Sequence, residues 1–262
     1  MLNWSCIKLS RDLNRPCILD FINYISISFL EIHGDRISND DKSIIGGISN
    51  IDGKHFMIIG HQKGKNFKER KLRNFGMSKS GGYRKALRLM KIAEKFNIPI
   101  IIMIDTPGAY HGYDAEQKCQ SESIAKNIKE MFLLNVPVLS FIIGEGASGG
   151  ALGIGVSNKI FMLENSWYSV ISPESCSSII WKNIFYKKRT SSILNLTSLD
   201  MFKLNLIDGV INESANYSCF NISAVAESIK NEILKSVSLL SNTDVIEKRI
   251  FKFRNIGIFK EI

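Results

Sequence analysis

Two apolar segments of the same design constrain the fold of this chain more than any other feature. The first segment is 98–104, with Pro99 as its second residue, and the second is 136–143, with Pro137 as its second residue. Each is followed by small residues and then by a helical pattern. Short, fully apolar runs indicate strands that are buried on both faces, as in a parallel sheet covered by helices. Two successive βα units therefore predict a layered α/β architecture, with ligands at the carboxyl ends of the strands.

A hairpin and several helices are predicted around these two units. Apolar residues recur at helical spacing over 18–32, and Gly34 is suited to end that helix. The segments 43–51 and 54–60 flank Asp52-Gly53, a dipeptide typical of a tight β-hairpin. Other predicted elements are helices at 83–96 and 224–240, a helix opened by Ser172-Pro173-Glu174, an irregular helical stretch at 191–211, and strands at 159–164 and 168–171.

Composition and charge limit the classes of function that are open to the chain. Its 262 residues are 45% hydrophobic and carry a formal net charge of +9. No low-complexity linker divides them, so we expect a single domain with a large core. The excess of cations favours acidic partners, such as nucleotides, coenzyme phosphates, nucleic acid or acidic proteins.

The cysteines and the apolar runs bear on the location of the protein. No C-x-x-C pair occurs among the five cysteines, which predicts reduced thiols in a cytoplasmic protein and no metal site in this chain (Cys6, Cys17, Cys119, Cys176 and Cys219). The apolar runs are shorter than the roughly 20 residues that cross a bilayer. Residues 1–6 have neither the basic flank nor the apolar core of a signal peptide. We expect no contact with a membrane.

A glycine-rich turn after the second apolar run is the strongest candidate site. Gly144, Gly146, Gly149 and Gly150 leave the backbone almost bare between a strand and the start of a helix. Backbone N–H groups at a helix N-terminus suit an anion, because the helix dipole places positive potential there. Three motifs overlap in this turn, and each implies a different chemistry.

Other features of the sequence argue against two of these motifs. A dinucleotide-binding G-x-G-x-x-G begins at Gly144, with Glu164 near the position of a ribose-binding acid, but the helix that follows is short and contains glycines. A serine-hydrolase G-x-S-x-G centres on Ser148, but all four histidines precede it, which excludes the α/β-hydrolase order. A triad of His61, Asp105 and Ser148 with another chain order stays open.

The third motif is an oxyanion hole without a nucleophile. The backbone N–H groups of Gly149 and Gly150 would supply it, and it requires neither a later histidine nor a ribose-binding acid. Two well-aimed donors stabilise a developing negative charge by several kcal/mol, an order-of-magnitude value for such sites.

A basic segment at 63–73 has two interpretations. It could contact phosphates or an acidic protein, or it could be an ordinary solvated loop and helix face, which this stretch alone favours. Its cations are Lys63, Lys65, Lys68, Arg70, Lys71 and Arg73.

An ordered set of longer motifs indicates a family. In chain order they are Gly34-Asp35-Arg36, Gly60-His61-Gln62-Lys63-Gly64, Arg73-Asn74-Phe75-Gly76-Met77, Gly82-Tyr83-Arg84-Lys85-Ala86, Asp105-Thr106-Pro107-Gly108-Ala109-Tyr110, Gly144-Glu145-Gly146, Ser148-Gly149-Gly150-Ala151 and Ser172-Pro173-Glu174. With these motifs the chain resembles the α subunit of bacterial acetyl-CoA carboxylase carboxyltransferase. The resemblance extends from about Trp4 to the C-terminus.

This resemblance implies a fold and an assembly. The fold is an α/β, crotonase-like (ClpP/crotonase) spiral of repeated ββα units with N-terminal and C-terminal helices. The parts would be a helical segment at about 1–33, the core at 34–212 and a second helical segment at 213–262. The assembly would be an α2β2 heterotetramer, whose β subunit carries a four-cysteine zinc ribbon and binds acetyl-CoA.

The resemblance also implies a reaction. A carboxyl group would pass from carboxybiotin, held on the biotin carboxyl carrier protein, to acetyl-CoA, giving malonyl-CoA for fatty acid biosynthesis in the cytoplasm. Biotin carboxylase would complete the overall complex, and no cofactor would be bound covalently by this chain. Gly149 and Gly150 would stabilise charge on the ureido oxygen of biotin. Further contacts to biotin or coenzyme A are expected at Gly108, Ala109, Tyr110, Gly144, Gly146, Lys63, Lys65, Arg70 and Arg73.

The chain departs from the family pattern at a few positions. Family members usually begin with a helical extension, and here Met1 falls near its end. His111 stands where proline is usual and Cys119 where glycine is usual, while Ala147 and Ser175 each replace a glycine. Both glycines of the proposed oxyanion hole remain.

Two other classes of function stay open at this point. The same fold serves acyl-CoA hydratases and other biotin-dependent carboxyltransferases, so the reaction could differ. A non-catalytic scaffold or nucleic-acid binder would account for the positive charge. Against it, the only aromatic residues near the basic segment are Phe67 and Phe75, and no compact reader motif is present, so we expect no specific nucleic-acid binding.

Overall fold

A computed structural model describes residues 2–213, 221–241 and 243–257 of the chain. In chain order its elements are α1 (Leu2–Ser10), α2 (Ile18–Ile25), β1 (Ser28–Glu31), β2 (Ile44–Ile51), β3 (Lys54–His61), α3 (Phe67–Leu72), α4 (Ser80–Lys95), β4 (Ile100–Thr106), α5 (Tyr113–Glu116), α6 (Gln120–Leu133), β5 (Val138–Ala147), α7 (Ser148–Gly155), β6 (Lys159–Leu163), β7 (Trp167–Ser169), α8 (Pro173–Trp181), α9 (Lys187–Ile193), α10 (Ser198–Lys203), β8 (Gly209–Ile211), α11 (Ile222–Leu240) and α12 (Val245–Arg254). None of the helices in these ranges combines the length and apolar character needed to cross a membrane.

The strands form one mixed sheet in the order β1-β2-β3-β4-β5-β6-β8, and β7 pairs with the end of β5. The hairpin β2–β3 is antiparallel and turns at Asp52 and Gly53, whose φ angles are +48° and +80°. From β3 onward the neighbouring strands are parallel. The predicted hairpin and the two predicted parallel βα units are therefore confirmed.

The apolar runs are explained by burial on both faces of the sheet. In β4, Ile100, Ile102 and Ile104 pack into a cluster that includes side chains of α4, α6 and α7. The intervening Ile101 and Met103 pack into a second cluster, on the opposite face, with side chains of α2 and α11. A central strand between two helical layers has no solvent-facing side, so its sequence shows no polar alternation.

The helix predicted over 18–32 is too long. It ends at Ile25, and β1 follows as an edge strand paired with β2. Phe29 and Ile32 would share one face of a helix, but in the structure they pack against different clusters on opposite faces of the sheet. The segment 1–33 is therefore not wholly helical, since β1 belongs to the core sheet.

Two other predictions need correction. The helix predicted at 83–96 begins earlier, at Ser80, and ends at Lys95, so that Phe96 lies outside it and is exposed. The irregular stretch at 191–211 contains α10 and the strand β8 rather than continuous helix. Helices α11 and α12 make most of the described C-terminal part helical. Cys219 lies outside the described residues.

Candidate active site

A buried ion network lies at the carboxyl ends of β4 and β5. Lys63 Nζ is 2.6 Å from Asp105 Oδ1 and 2.6 Å from Glu145 Oε2. The backbone N–H of Glu145 also donates to Asp105 Oδ1 at 2.9 Å. All three residues are at least 94% buried. The network therefore joins the loop after β3 to the ends of the two central strands.

The electrostatics of this network favour its charged form. Burial by itself would raise the pKa of Glu145, but the positive charges of Lys63 and Arg11 outweigh it and hold that pKa below its usual range. Burial would likewise lower the pKa of Lys63, but Asp105 and Glu145 hold it above its usual range. Because the charges are satisfied by one another, the cluster can remain ionised inside the protein.

Two further charged residues, neither of which was predicted as a site residue, extend the network. Arg11 of α1 places Nε 2.6 Å from Glu145 Oε1 and Nη1 2.7 Å from Glu174 Oε1 at the start of α8. The residues of the first pair are separated by 134 positions in the chain, and those of the second pair by 163. No local pattern could have revealed them, since neither periodicity nor a motif spans such distances.

Close backbone approach explains two of the glycines in the turn. A Cβ on Gly144 would lie 2.3 Å from Asp105 Oδ1, and one on Gly150 would lie 2.5 Å from the carbonyl carbon of Gly108. Gly146 is buried against the ring of Tyr168. Gly144 and Gly146 thus pack closely inside the protein and line neither of the two cavities described below, and their predicted substrate contacts stay a prediction.

The start of α7 presents two backbone donors without a cap. Ala147 is the N-cap residue, and no side-chain hydrogen bond caps the helix. A polar N-cap side chain would accept from the second or third N–H of the helix, and these belong to Gly149 and Gly150. Both donors therefore lie at the positive end of the helix dipole without the partner that a Ser, Thr, Asp or Asn cap would give.

A cavity of about 510 Å³ opens beside these donors. Its polar end is formed by Ser148 and Gly149, and its other walls are mostly apolar: Leu152, Tyr168, Ser169, Val170, Leu194, Met201, Leu204 and Leu206. A mostly apolar pocket with a few fixed polar groups at one end is typical of a small-molecule site. The sequence had not indicated the α10 side of this wall.

The loop after β4 packs directly behind the donors. Gly108 and Ala109 form the surface against which Gly150 packs. The backbone N–H of Tyr110 donates to Ser78 O at 3.0 Å, and Lys79 Nζ lies 4.5 Å from the centre of the Tyr110 ring. The structure thus brings Gly108 and Ala109 to the glycine turn, while Tyr110 is turned toward the loop before α4.

The four cations predicted to bind substrate lie in different environments. Lys63 is buried within the ion network, where its Nζ contacts two carboxylates. Lys65 is exposed and pairs with Asp20. Arg73 donates to Lys42 O at 2.7 Å. Arg70 lines a smaller cavity, of about 230 Å³, together with Arg11, Lys63, Phe75, Pro107 and Glu145.

The alternative motifs lose support from the geometry. Ser148 is exposed and has a left-handed backbone with φ of +54°, as a nucleophile elbow would. However, Asp105 bonds to Lys63 and Glu145, while neither ring nitrogen of His61 has a hydrogen-bond partner within the described ranges. Glu164 accepts from the N–H of Glu213 at 3.0 Å, a structural contact where the dinucleotide motif needs a ribose ligand.

We predict that replacing His61 by leucine leaves turnover intact and improves stability in acid. Burial, with a further contribution from Lys63, lowers the pKa of His61 to about 3. The native state therefore excludes a proton that the unfolded chain binds below about pH 6.5, so stability falls as the pH drops from 6.5 toward 3. Thermal unfolding measured at pH 7.5 and at pH 5 gives the stability lost between the two pH values. This loss should be smaller in His61→Leu than in the parent, by about 2 kcal/mol.

The control for this variant is His55→Leu, at an exposed position of β3. It should reproduce the parent's pH dependence. Loss of turnover in His61→Leu, with its stability unchanged, would instead support a catalytic histidine.

The structure also gives the positions of four thiols and allows a search for metal ligands. Cys6, Cys17 and Cys176 are buried free thiols, and Cys119 is exposed. Cys119 has a left-handed backbone with φ of +56°, a conformation that favours glycine. Within the part of the chain that the structure describes, no group of three or more His, Cys, Asp or Glu side chains is arranged to hold a metal ion.

Comparison with known proteins decides the family. A family model described as acetyl co-enzyme A carboxylase carboxyltransferase-like matches residues 1–257. The chain belongs to this family. It is 52% identical to a relative from Flavobacterium johnsoniae over 98% of this chain and 83% of the relative. It is 48% identical to one from Fusobacterium nucleatum over 99% of this chain and 84% of the relative. Both relatives are named acetyl-coenzyme A carboxylase carboxyl transferase subunit alpha.

Solved structures show the same fold at low sequence identity. A transcarboxylase 12S structure matches 89% of this chain and 44% of its own, with a TM-score of 0.70 and 15% identity. A Pseudomonas malonate decarboxylase hetero-tetramer structure matches 88% of this chain and 91% of its own, with a TM-score of 0.69 and 12% identity. The β subunit of a Pseudomonas aeruginosa geranyl-CoA carboxylase matches 92% of this chain and 44% of its own, with a TM-score of 0.67 and 17% identity. The predicted crotonase-like fold of the family is confirmed.

Proposed function

We propose that this chain is the α subunit of an acetyl-CoA carboxylase carboxyltransferase and stabilises the biotin side of the reaction. The observation that carries the proposal is the start of α7, where no side chain caps the N–H groups of Gly149 and Gly150 and where Gly149 lines the cavity of about 510 Å³. The family membership and the shared name of the relatives support the choice of reaction.

The chemistry of carboxyl transfer suits such donors. When carboxybiotin gives up its carboxyl group to the enolate of acetyl-CoA, the electron pair of the broken N–C bond is delocalised onto the ureido oxygen. Two N–H groups stabilise that charge without being consumed or modified. The product is malonyl-CoA, which fatty acid biosynthesis uses. Biotin itself stays on its carrier protein and is a substrate here.

The packing of the site explains how the donors would be held in place. Gly150 is fixed against Gly108 and Ala109, and the ion network of Lys63, Asp105 and Glu145 ties the strands that lead into both loops. Donors that are already ordered need no reorganisation when charge develops. The chain would thus supply a rigid half of the site.

A second chain would complete the site. We propose a β subunit that brings the enolate of acetyl-CoA and carries zinc, in an α2β2 assembly located in the cytoplasm. The biotin carboxyl carrier protein and biotin carboxylase would act with it. Co-expression of this chain with its candidate β subunit should give malonyl-CoA from carboxylated carrier and acetyl-CoA, and this chain alone should give almost none. A co-purified complex without that product, but active on a different acyl-CoA, would replace the proposed reaction.

We predict that Arg70→Glu weakens substrate binding more than Lys65→Glu does. Arg70 lines the cavity of about 230 Å³ next to Pro107, and its contact with the rest of the described chain is through Nε, to Gly64 O at 3.2 Å. Lys65 lies on the outer surface and pairs with Asp20. The KM for acetyl-CoA or for the carrier should rise about 10-fold in Arg70→Glu, since a charge-assisted contact becomes a repulsion. Steady-state kinetics at low and high salt would measure this, and equal KM values in all three proteins would remove Arg70 from the site.

A further inference from the structure

A third cavity lies in the groove between α4 and α6. Its volume is about 570 Å³, within the range of about 300–1,000 Å³ that is usual for small-molecule sites. Residues of α4, of α6, of the turn before α6 and of the loop before β2 line it. It shares no lining residue with the two cavities described above, and the proposed reaction makes no use of it.

Three cations of this groove lack a carboxylate partner. Arg88 donates to backbone carbonyls, with Nε 3.0 Å from Gly34 O and Nη2 3.0 Å from His33 O. Lys118 and Lys126 are exposed, and neither forms an ion pair within the described ranges. All three residues line the cavity. Their positive charges are therefore not neutralised by direct contact with an acid of the chain.

The acids that line the groove do not offset these cations. Asp35 is already paired, with Oδ2 2.8 Å from Arg84 Nη2. Glu122 is exposed and has no ion pair in the part of the chain that the structure describes. It follows Cys119 by three residues and precedes Lys126 by four, so the three side chains lie on one side of α6. The groove thus suits a ligand with several negative charges and one positive charge.

A buried amide in the wall also lacks a partner. Asn127 is fully buried and lines the cavity. Its Nδ2 donates to Tyr83 O at 3.0 Å, but its Oδ1 has no hydrogen-bond partner among the described residues. Because Nδ2 is turned to α4, Oδ1 is the end of the amide that is left for the cavity. A buried acceptor without a donor costs free energy, and a peptide N–H of a ligand would supply that donor.

An exposed thiol lies in the same groove. Among the four thiols that the structure describes, Cys119 alone is exposed, and it lines the cavity at the start of α6. Arg84 Nη1 donates to Lys118 O at 3.2 Å, which fixes the backbone next to Cys119. An accessible thiol exchanges with disulfides through its thiolate, and the mixed disulfide that results is a reversible modification.

We propose that Cys119 is a modification site, at which a peptide thiol of the glutathione type forms a mixed disulfide and occupies this groove. The Cys119 thiolate attacks one sulfur of oxidised glutathione. The S–S bond of glutathione breaks, and a new S–S bond joins Cys119 to one half. The other half leaves as a thiolate and takes up the proton that Cys119 lost. The carboxylates of the bound half face Lys118 and Lys126, and its ammonium faces Glu122.

The dimensions of the groove fit such a ligand. Seven residues separate Cys119 from Lys126, which is a rise of about 10 Å along α6. An extended tripeptide also spans about 10 Å. In addition, the side chain of Lys126 leans toward the start of its helix, as helical side chains do. A tripeptide bonded to Cys119 is therefore long enough to bring a carboxylate to Lys126.

The modification site is adjacent to the loop that supports the glycine turn. Gln120 Nε2 donates to Ser78 O at 2.7 Å, and the backbone N–H of Tyr110 donates to the same oxygen at 3.0 Å. An adduct on the neighbouring Cys119 lies next to this shared contact, and we expect it to displace the loop. Turnover of the assembled enzyme should then fall, an expectation that rests on the proposed function.

The test measures the addition of glutathione to the full chain by mass spectrometry. Cys219→Ser is present in every protein, since Cys219 lies outside the described residues and must not contribute. Oxidised glutathione should add one glutathione, at Cys119, and dithiothreitol should remove it. Cys119→Gly should take up none and should keep its thermal midpoint, because a φ of +56° favours glycine.

A second disulfide separates recognition by the groove from the ordinary reactivity of an exposed thiol. 2-Hydroxyethyl disulfide is neutral, so the rate with oxidised glutathione divided by the rate with this compound cancels changes in the thiol itself. Lys126→Glu should lower this ratio by about fivefold, the upper end of the effect of one exposed ion pair. Lys235→Glu, at a side chain that is 69% exposed on α11, is the control and should leave the ratio unchanged.

The outcomes separate this inference from the proposed function. Glutathione addition at another residue, or none, overturns the modification site. Equal ratios in the parent and Lys126→Glu overturn recognition by the groove. An adduct at Cys119 that leaves turnover unchanged overturns only the expected effect on activity. An assembled enzyme that forms no malonyl-CoA, but whose Cys119 takes up glutathione in a manner dependent on Lys126, would overturn the proposed reaction and keep this site.

Discussion

Replacing Gly149 by valine should lower kcat for malonyl-CoA formation by about 100-fold, the loss typical of disabling one donor of an oxyanion hole. Gly149 lies at the second position of α7 and lines the larger cavity. A branched side chain there would stand beside the uncapped first turn of α7, and we expect it to keep the ureido oxygen at a distance from the donors. Steady-state assays of the assembled enzyme, with the thermal midpoint measured in parallel, would test this.

The fold should tolerate this substitution. Among the described residues, a Cβ on Gly149 would meet Ile124, at 4.0 Å, which is ordinary van der Waals contact. Valine is also a better helix residue than glycine. The thermal midpoint should therefore remain close to that of the parent, so that a loss of activity reports on the site.

Neighbouring glycines supply the controls. Gly155→Ala lies in the same helix, where a Cβ would meet Ile104 Cδ1 at 3.4 Å, and it should keep both stability and activity. Gly150→Ala would force a Cβ to within 2.5 Å of the backbone of Gly108, so it should lower the thermal midpoint and cannot isolate the role of the N–H. Turnover near the parental value in Gly149→Val would count against the oxyanion assignment.

The parts of the fold that sequence could predict are those with local signals. Asp52-Gly53 determines a tight turn by itself, because its backbone angles are accessible to few residue pairs. The apolar runs predict buried strands, since a strand between two layers needs apolar side chains on both faces. The segment after Ile25 was predicted wrongly because Phe29 and Ile32 fit a helical period as well as an edge strand, and only pairing with β2 distinguishes them.

The candidate site was predictable only in part, for a related reason. Gly149 and Gly150 were predicted because consecutive glycines at a strand–helix junction have a recognised backbone chemistry, and their role stays a prediction. The other glycines of the turn had been read as fingerprints of ligand binding, but Gly144 is required by the nearby carboxylate of Asp105. Arg11 and Glu174 were missed because their partner, Glu145, becomes a neighbour only in the folded chain.

The buried ion network leads to the second large expected effect. Lys63→Met should destabilise the chain by about 3–5 kcal/mol at pH 7.5, the usual cost of removing one partner of a buried pair. Asp105 and Glu145 would then face each other without the ammonium that lies 2.6 Å from both. For a chain of this size the thermal midpoint should fall by about 10 °C.

The pH dependence of this loss identifies its cause. In the parent, Glu145 has a lowered pKa, so its contribution is present above about pH 4.5 and is lost only as the pH falls through the lower native value. Without Lys63, one carboxyl of the pair should take up a proton in the native state, and its raised pKa favours the folded chain as the pH falls. The difference in the free energy of unfolding between the parent and Lys63→Met should therefore be largest near neutral pH and become smaller toward pH 5.

Two further variants distinguish electrostatic pairing from simple packing. Lys63→Met combined with Asp105→Asn neutralises the carboxylate that loses its cation, because Glu145 still pairs with Arg11, and should recover part of the lost stability at pH 7.5. Lys79→Met breaks a lysine–aspartate pair of the same length, 2.6 Å to Asp114, but at a solvent-exposed site, and should change the thermal midpoint little. If Lys63→Met lowered the midpoint equally at pH 7.5 and pH 5, and the double variant recovered nothing, Lys63 would act through its aliphatic stem. The two catalytic loops would then be held together by packing at Gly144 and Gly150 rather than by charge.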